Sequence, residues 1–285
     1  MLRVGGVPEH FNHVFALAEK LGLYNKHNVQ VEFVVQACGT GQMIDALEQE
    51  NVDVIVALTE GLVRHILTQP TEIRLLGTYV NSPLCWAIST RPDETEQPMD
   101  GKTFGYSRNG SGSQLMAQVL AHRDGISLNT ALVGNFQALR ESVLSGKTDA
   151  FLWETFTTKP FHDSGTLKRS GQVVAPWPAF MYAAKQSVVT HRLPDMERML
   201  AAVQEAAVWF HRQSETMPAE IATVFGLKEE DAEEWYRRVE IVAHRNVSTL
   251  ALAQVRTTLI AANVMDETTV EWTDCVEQRL VTLTE

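Results

Sequence analysis

Between Thr103 and His122 the chain reads Thr-Phe-Gly-Tyr-Ser-Arg-Asn-Gly-Ser-Gly-Ser-Gln-Leu-Met-Ala-Gln-Val-Leu-Ala-His, a stretch whose residue types can hold an anion. Phe104 and Tyr106 alternate as in a buried strand, whereas Leu115 and Val119 are spaced as on a helix, so the period changes across Asn109 to Ser113. Ser111 or Ser113 can cap that helix, and Gly110 and Gly112 let backbone approach a bound atom. The free N–H groups of its first turn form the positive end of the dipole. From the turn alone, plain helix capping is the better explanation of the serines. A second candidate is Trp153-Glu154, where the strand Asp149 to Trp153 delivers a stacking ring and then a carboxylate to a sheet edge.

Other chemistry is poorly supported. His10 and His13, three apart, could share a metal, but no third ligand has metal spacing and none is expected. Cys38 precedes a Gly-Thr-Gly turn at a strand end, a place for a nucleophile, but no base can be paired with it, so it is expected to be a small buried filler. Gly39-Thr40-Gly41 lacks the Gly-Lys-Ser/Thr of a phosphate loop, and no dinucleotide fingerprint occurs. No cofactor is expected.

The elements that must position these residues alternate β-α-β-α-β. Strands are expected at Leu2–Val7, Val29–Val35, Val52–Leu58 and Ile73–Val80, with helices over 11–22, 41–47 and 62–67 between them. Extended crossings near 84–90 and 180–186 bracket strands at 103–107, 132–135 and 150–153. A Pro- and acid-rich loop occupies 91–100, and helices are expected from 193 onward, at 218–225, 229–242 and 248–262. In an open α/β sheet, ligands sit beyond the carboxyl ends of the strands. The residues there are Phe11, Asn12, Cys38, Thr40, Glu60, Ser82, Pro83, Leu84, Ser107, Ser111, Gly112, Ser113, Trp153 and Glu154, a polar and aromatic set suited to a small-molecule cleft. Glu60 and Glu154 beside an anion-seeking turn imply a ligand with an acidic head and a cationic or hydrogen-bond-donating group.

The 285 residues carry a net charge of −11 with 45% apolar content, enough for two lobes. Segment 88–184 balances nine Lys/Arg against nine Asp/Glu, so the acidic surplus lies in the flanks, and lobes of 1–87 plus 185–285 and of 88–184 are expected. That surplus argues against nucleic acid or an anionic membrane as partner. No run approaches the roughly 18 apolar residues of a membrane span. The N-terminus shows no basic-then-apolar leader, and three scattered cysteines suit a reducing compartment, so a cytoplasmic monomer or weak dimer is expected.

Taken in order, the start Leu2–Val7, Val52-Asp-Val-Ile-Val-Ala-Leu-Thr59, Gly101-Lys-Thr-Phe-Gly-Tyr-Ser107 with Gly110-Ser-Gly-Ser113, and Gly146-Lys-Thr-Asp-Ala-Phe-Leu-Trp-Glu154 resemble the two-lobed type II periplasmic-binding-protein fold. Within it the likeness is to the nitrate, sulfonate and taurine binding proteins and their relatives in thiamine pyrimidine synthesis. The resemblance implies lobes that close on a small sulfonate-like or pyrimidine-phosphate-like ligand without catalysis, the Ser-Gly-Ser helix start contributing to an anion pocket. The alternative it offers is an enzyme of thiamine pyrimidine synthesis. That reading requires a cofactor-bearing lysine and a Cys-rich segment that do not stand out in this sequence.

Overall fold

A computed structural model describes residues 1–94 and 98–285 of the chain. Its first part runs β1 (Leu2–Gly6), a 3-10 turn at His10–Asn12, α1 (His13–Lys20), α2 (Leu23–Lys26), β2 (Val31–Val35), α3 (Thr40–Glu48), β3 (Val54–Leu58), α4 (Thr59–Thr68) and β4 (Ile73–Thr90). The middle holds β5 (Thr103–Tyr106), α5 (Gly112–Asp124), β6 (Asn129–Leu132), α6 (Phe136–Leu144), β7 (Ala150–Glu154), α7 (Thr155–Asp163) and β8 (Lys168–Lys185). Then follow α8 (Gln186–His211), α9 (Met217–Phe225), α10 (Glu229–Arg238), β9 (Ile241–His244), β10 (Asn246–Ser248), α11 (Thr249–Ala261), α12 (Trp272–Cys275) and β11 (Thr282–Thr284).

One nine-stranded sheet has the order β2-β1-β3-β8-β4-β7-β5-β6, with β9 added beside β4. The triplets β2-β1-β3 and β7-β5-β6 are each parallel, and the antiparallel pair β4 and β8 joins them. Strand β3 is buried at every position, which is why Val54 to Leu58 reads as an unbroken apolar run rather than an alternation. The carboxyl ends of β1, β3, β5 and β7 converge on the space beside the β4–β8 pair. Arg3 fixes the base of β1 by pairing with both carboxylate oxygens of Asp53, at 2.8 and 3.1 Å.

Several expectations need correction. The crossings are not separate segments but the C-terminal parts of two 18-residue strands, Gln186 already opening α8. Their ladder loses register between Val80 and Cys85, where Pro83 faces Pro178 and neither can donate a ladder hydrogen bond. Residues 180–183, expected within a crossing, are instead regularly paired with β3. The strand placed at 132–135 is Asn129–Leu132, in register with β5. The helix expected over 229–242 stops at Arg238 because Ile241–His244 joins the sheet beside β4. Helix α8 begins at Gln186, earlier than expected, and breaks at Arg192, two residues before Pro194. In the connection at 91–100, residues 95–97 lie outside the described residues.

Glu60 is a core residue of α4, 1% exposed, rather than a cleft residue. Its Oε2 accepts from the Trp177 indole N–H at 2.9 Å, and its Oε1 has no partner among the described residues. Burial pushes its carboxyl up to about 7. The unfolded chain ionises this group near 4.5, so its contribution to stability is complete below that pH and is lost as pH rises through 7. Glu60→Gln is expected to raise the melting temperature relative to wild type at pH 8, by an amount equivalent to about 3 kcal/mol at most, with the gap closing near pH 4.5. A gap of equal size at both pH values in a thermal-melt series would refute the assignment.

Gly77, at φ +148°, sits at the first bulge of β4, where an added Cβ would overlap the His244 carbonyl and lie 2.9 Å from Arg245 Cα. Gly77→Ala should therefore cost about 3 kcal/mol, from overpacking and an unfavourable dihedral together. Gly125, at φ +64° with open space around it, should cost only about 1 kcal/mol as alanine. Equal losses for the two variants in denaturant titrations would show that β9 does not press on the bulge.

Candidate functional site

Where the strand ends meet there is a cavity of about 40 Å³. On the scale where one water needs roughly 10–15 Å³, that admits only a few waters. Its lining includes Thr40, Leu84, Ser107, Ser111, Gly112, Ser113, Trp153 and Glu154 from the sequence-derived set. Val7, Glu9, Gly39, Met43, Leu58, Trp86 and Phe180 complete it.

One part of this lining is a hydroxyl cluster. Ser107, Ser111 and Ser113 are each at most 3% exposed, with Ser113 Oγ 3.1 Å from Ser111 Oγ and 3.5 Å from Ser107 Oγ. Ser111 occupies the N-cap position of α5, yet its hydroxyl does not cap the helix. Its oxygen accepts from Arg108 N at 3.4 Å, as Ser113 Oγ does from Ser107 N at 3.2 Å. The two Oγ···Oγ hydrogen bonds engage two of the three hydroxyl protons and leave one to donate. The backbone N–H groups of Gly112 and Ser113 and the buried Trp86 indole N–H have no partner among the described residues. Such donors at a helix N-terminus suit an acid head.

Gly112 is fixed by packing. A Cβ there would overlap Leu58 and come within 2.7 Å of the Trp86 ring. Gly112→Asp is therefore a packing mutation as well as one that puts a carboxylate in the turn.

The other part of the lining is a pair of carboxyls. Glu154, 5% exposed, ends β7 and caps α7, its Oε2 accepting from Thr157 N at 2.7 Å and Thr157 Oγ1 at 3.0 Å. Glu9, half-buried just after β1, accepts from the Trp153 indole N–H at 2.9 Å. Burial, reinforced by the neighbouring Glu154, pushes Glu9 up to about 8. Burial also raises Glu154 to about 7. The two are not neutralised by any cationic side chain of the lining, so a ligand cation is the group that would let both ionise.

Six sequence-derived candidates lie outside the cavity. Phe11 packs on His10 and Phe180 with ring centroids 4.6 and 5.0 Å away, and the Asn12 amide donates to Val7 O at 2.8 Å. Glu60 faces Trp177, Ser82 Oγ accepts from Glu240 N at 3.0 Å, and Pro83 is exposed. Cys38 is only partly buried, so it is not the core filler expected of it; Cys275 is the buried thiol. Glu9 was within reach of sequence reasoning, since it directly follows β1. Trp86 and Phe180 were not, because they sit in mid-strand where the β4–β8 pair passes the strand ends.

Residues 86–173 match the family described as Ca3427-like PBP. No curated protein matches the chain in sequence. The Candida albicans CA3427 gene product, described as defining a family with the generic periplasmic binding protein fold, superposes with a TM-score of 0.91 at 29% identity, covering 100% of this chain and 98% of that one. The alkanesulfonate-binding protein SsuA of Xanthomonas axonopodis pv. citri, bound to MOPS, gives 0.76 at 15% identity over 99% of this chain and 98% of its own. The aliphatic sulphonate binding protein SsuA of Escherichia coli gives 0.71 at 17% identity, with 98% of each chain covered. No helix among the described residues is long and apolar enough to cross a membrane. The chain has the periplasmic binding protein fold, and its central segment is similar to the Ca3427-like PBP family.

Proposed function

We propose that the chain is a binding protein for a small zwitterion, closing two lobes on it without catalysis. The observation that carries this reading is the joining, in one small cavity, of three hydroxyls beside a helix start with two carboxyls that lack a counter-cation in the lining. The acid head meets Ser107, Ser111, Ser113 and the N–H groups of α5. The ammonium meets Glu9 and Glu154, and the apolar body lies against Trp86 and Trp153. The hydroxyls have no imidazole or amine among the lining residues to take their proton, so holding and releasing uses every polar group present. The cavity's size favours a short aminosulfonate over a phosphorylated aminopyrimidine.

The lobes we infer are 1–87 plus 185–285 and 88–184, bending where Pro83 faces Pro178. The free cysteines Cys38, Cys85 and Cys275 support a reducing, cytoplasmic setting. A monomer or weak dimer is sufficient, since each cavity wall comes from this one chain.

Taurine and isethionate differ only in an ammonium against a hydroxyl, and calorimetry on the two isolates the carboxyl pair. Wild type is expected to prefer taurine at least about tenfold, and Glu154→Gln to lose most of that preference. Equal affinities in wild type would leave the carboxyls as bystanders. Because Glu9 and Glu154 are raised in the free protein and an ammonium lowers them, binding should expel protons near pH 7 and tighten as pH rises from 6 to 8. Binding heats that do not change among buffers of different ionisation enthalpy would contradict this.

A further inference from the structure

The two histidines that stand three apart after β1 part company in the structure. His13 Nε2 pairs with Glu220 Oε1 at 3.0 Å. His10 is 2% exposed and held among rings: Phe11 stacks on it at 4.6 Å, and Trp235 and Phe225 meet it edge-on at 4.5 and 6.0 Å. Its Nε2 makes no hydrogen bond, and Glu154 Oε2 lies 3.7 Å away, just beyond hydrogen-bond length. A buried polar atom left in this way is uncommon and calls for an explanation.

The two oxygens of Glu154 are in different positions. Oε2, the one beside His10, already accepts from Thr157 N at 2.7 Å and Thr157 Oγ1 at 3.0 Å. Oε1 makes no hydrogen bond among the described residues and keeps some open surface, so it is the oxygen left for a ligand in the cavity that Glu154 lines. Burial keeps the imidazole neutral, lowering it to about 3, so one ring nitrogen carries a proton and the other does not. No lysine or arginine lines the cavity to support a charge on Glu154, and the other carboxyl, Glu9, has its own donor in the Trp153 indole at 2.9 Å.

We propose that His10 is the positioning residue of Glu154, its Nε2–H donating to Oε2 when a ligand ammonium on Oε1 ionises the carboxyl. This rests on the zwitterion reading of the cleft. While Glu154 keeps its proton, Thr157 is donor enough for the inner oxygen. Once that proton leaves to solvent, the same oxygen shares a full negative charge in a buried place, and closing the 3.7 Å gap to about 3 Å gives it a third donor. The rings around the imidazole fix its plane and so the direction of its N–H. Because the new hydrogen bond strengthens only the ionised carboxyl, it favours a ligand that brings a cation over one of the same size that brings a hydroxyl.

Calorimetry with taurine and isethionate on wild type, His10→Phe and His10→Gln tests this. His10→Phe is expected to weaken taurine about tenfold and isethionate by less than about twofold, and His10→Gln, whose amide N–H can stand in for Nε2–H, to recover most of the loss. A purely structural role would lower both ligands together. NMR of the histidine ring nitrogens in wild type supplies a readout that needs no variant, should His10→Phe fail to fold: taurine is expected to produce a slowly exchanging His10 Nε2–H signal that isethionate does not. Equal losses of the two ligands in His10→Phe, unchanged taurine affinity in that variant, no recovery in His10→Gln, or a ring N–H signal indifferent to taurine would each overturn the assignment. Wild type without a taurine preference would bring down the cleft reading and this role together, whereas a preference that survives in His10→Phe would remove the role of His10 alone.

Discussion

Two antiparallel strands of 18 residues, β4 and β8, run side by side through the whole sheet, and every other element is placed by reference to them. One parallel triplet attaches to each side of the pair, so the strand ends of both triplets are brought to the same region. The pair is continuous enough to fix that geometry and broken enough to bend. Its register slips around Pro83 and Pro178, where proline nitrogens supply no ladder hydrogen bonds.

The site built there is electrostatically unfinished. Its two carboxyls, those of Glu9 and Glu154, are held where ionisation is disfavoured, relieved by an indole N–H at Glu9 and by a helix start and the Thr157 hydroxyl at Glu154. Relief of that sort stabilises a carboxylate far less than a cation would. Fold and function therefore pull in opposite directions at these positions, and a protein selected for stability alone would replace them.

Much of the architecture was legible in the sequence because buried parallel strands leave continuous apolar runs, as in Val54 to Leu58, and because Gly110-Ser-Gly-Ser113 marks a change of period. The strand-end rule located Ser107, Ser111, Ser113, Trp153 and Glu154 around one cavity. It failed for Ser82 and Pro83, since Val80 to Cys85 is not a strand end at all but an irregularity within β4. Glu60 also looked like a cleft residue, because a carboxylate after a strand gives no local sign that Trp177, 117 residues away, will bury it. Trp86 and Phe180 carry no signal of their own. Their roles depend on strand pairing, and pairing between distant segments is what a single sequence encodes least directly.

The close approach of Gly112 to Trp86 and Leu58 has an evolutionary consequence. A side chain at 112 is tolerable only if the indole or the leucine has already shrunk, and shrinking either one first would open a void against the start of α5. None of the three positions can therefore drift independently. Lineages that alter the pocket floor should change these residues together, along a path in which the order of substitution matters, and ligand preference would shift in steps rather than gradually.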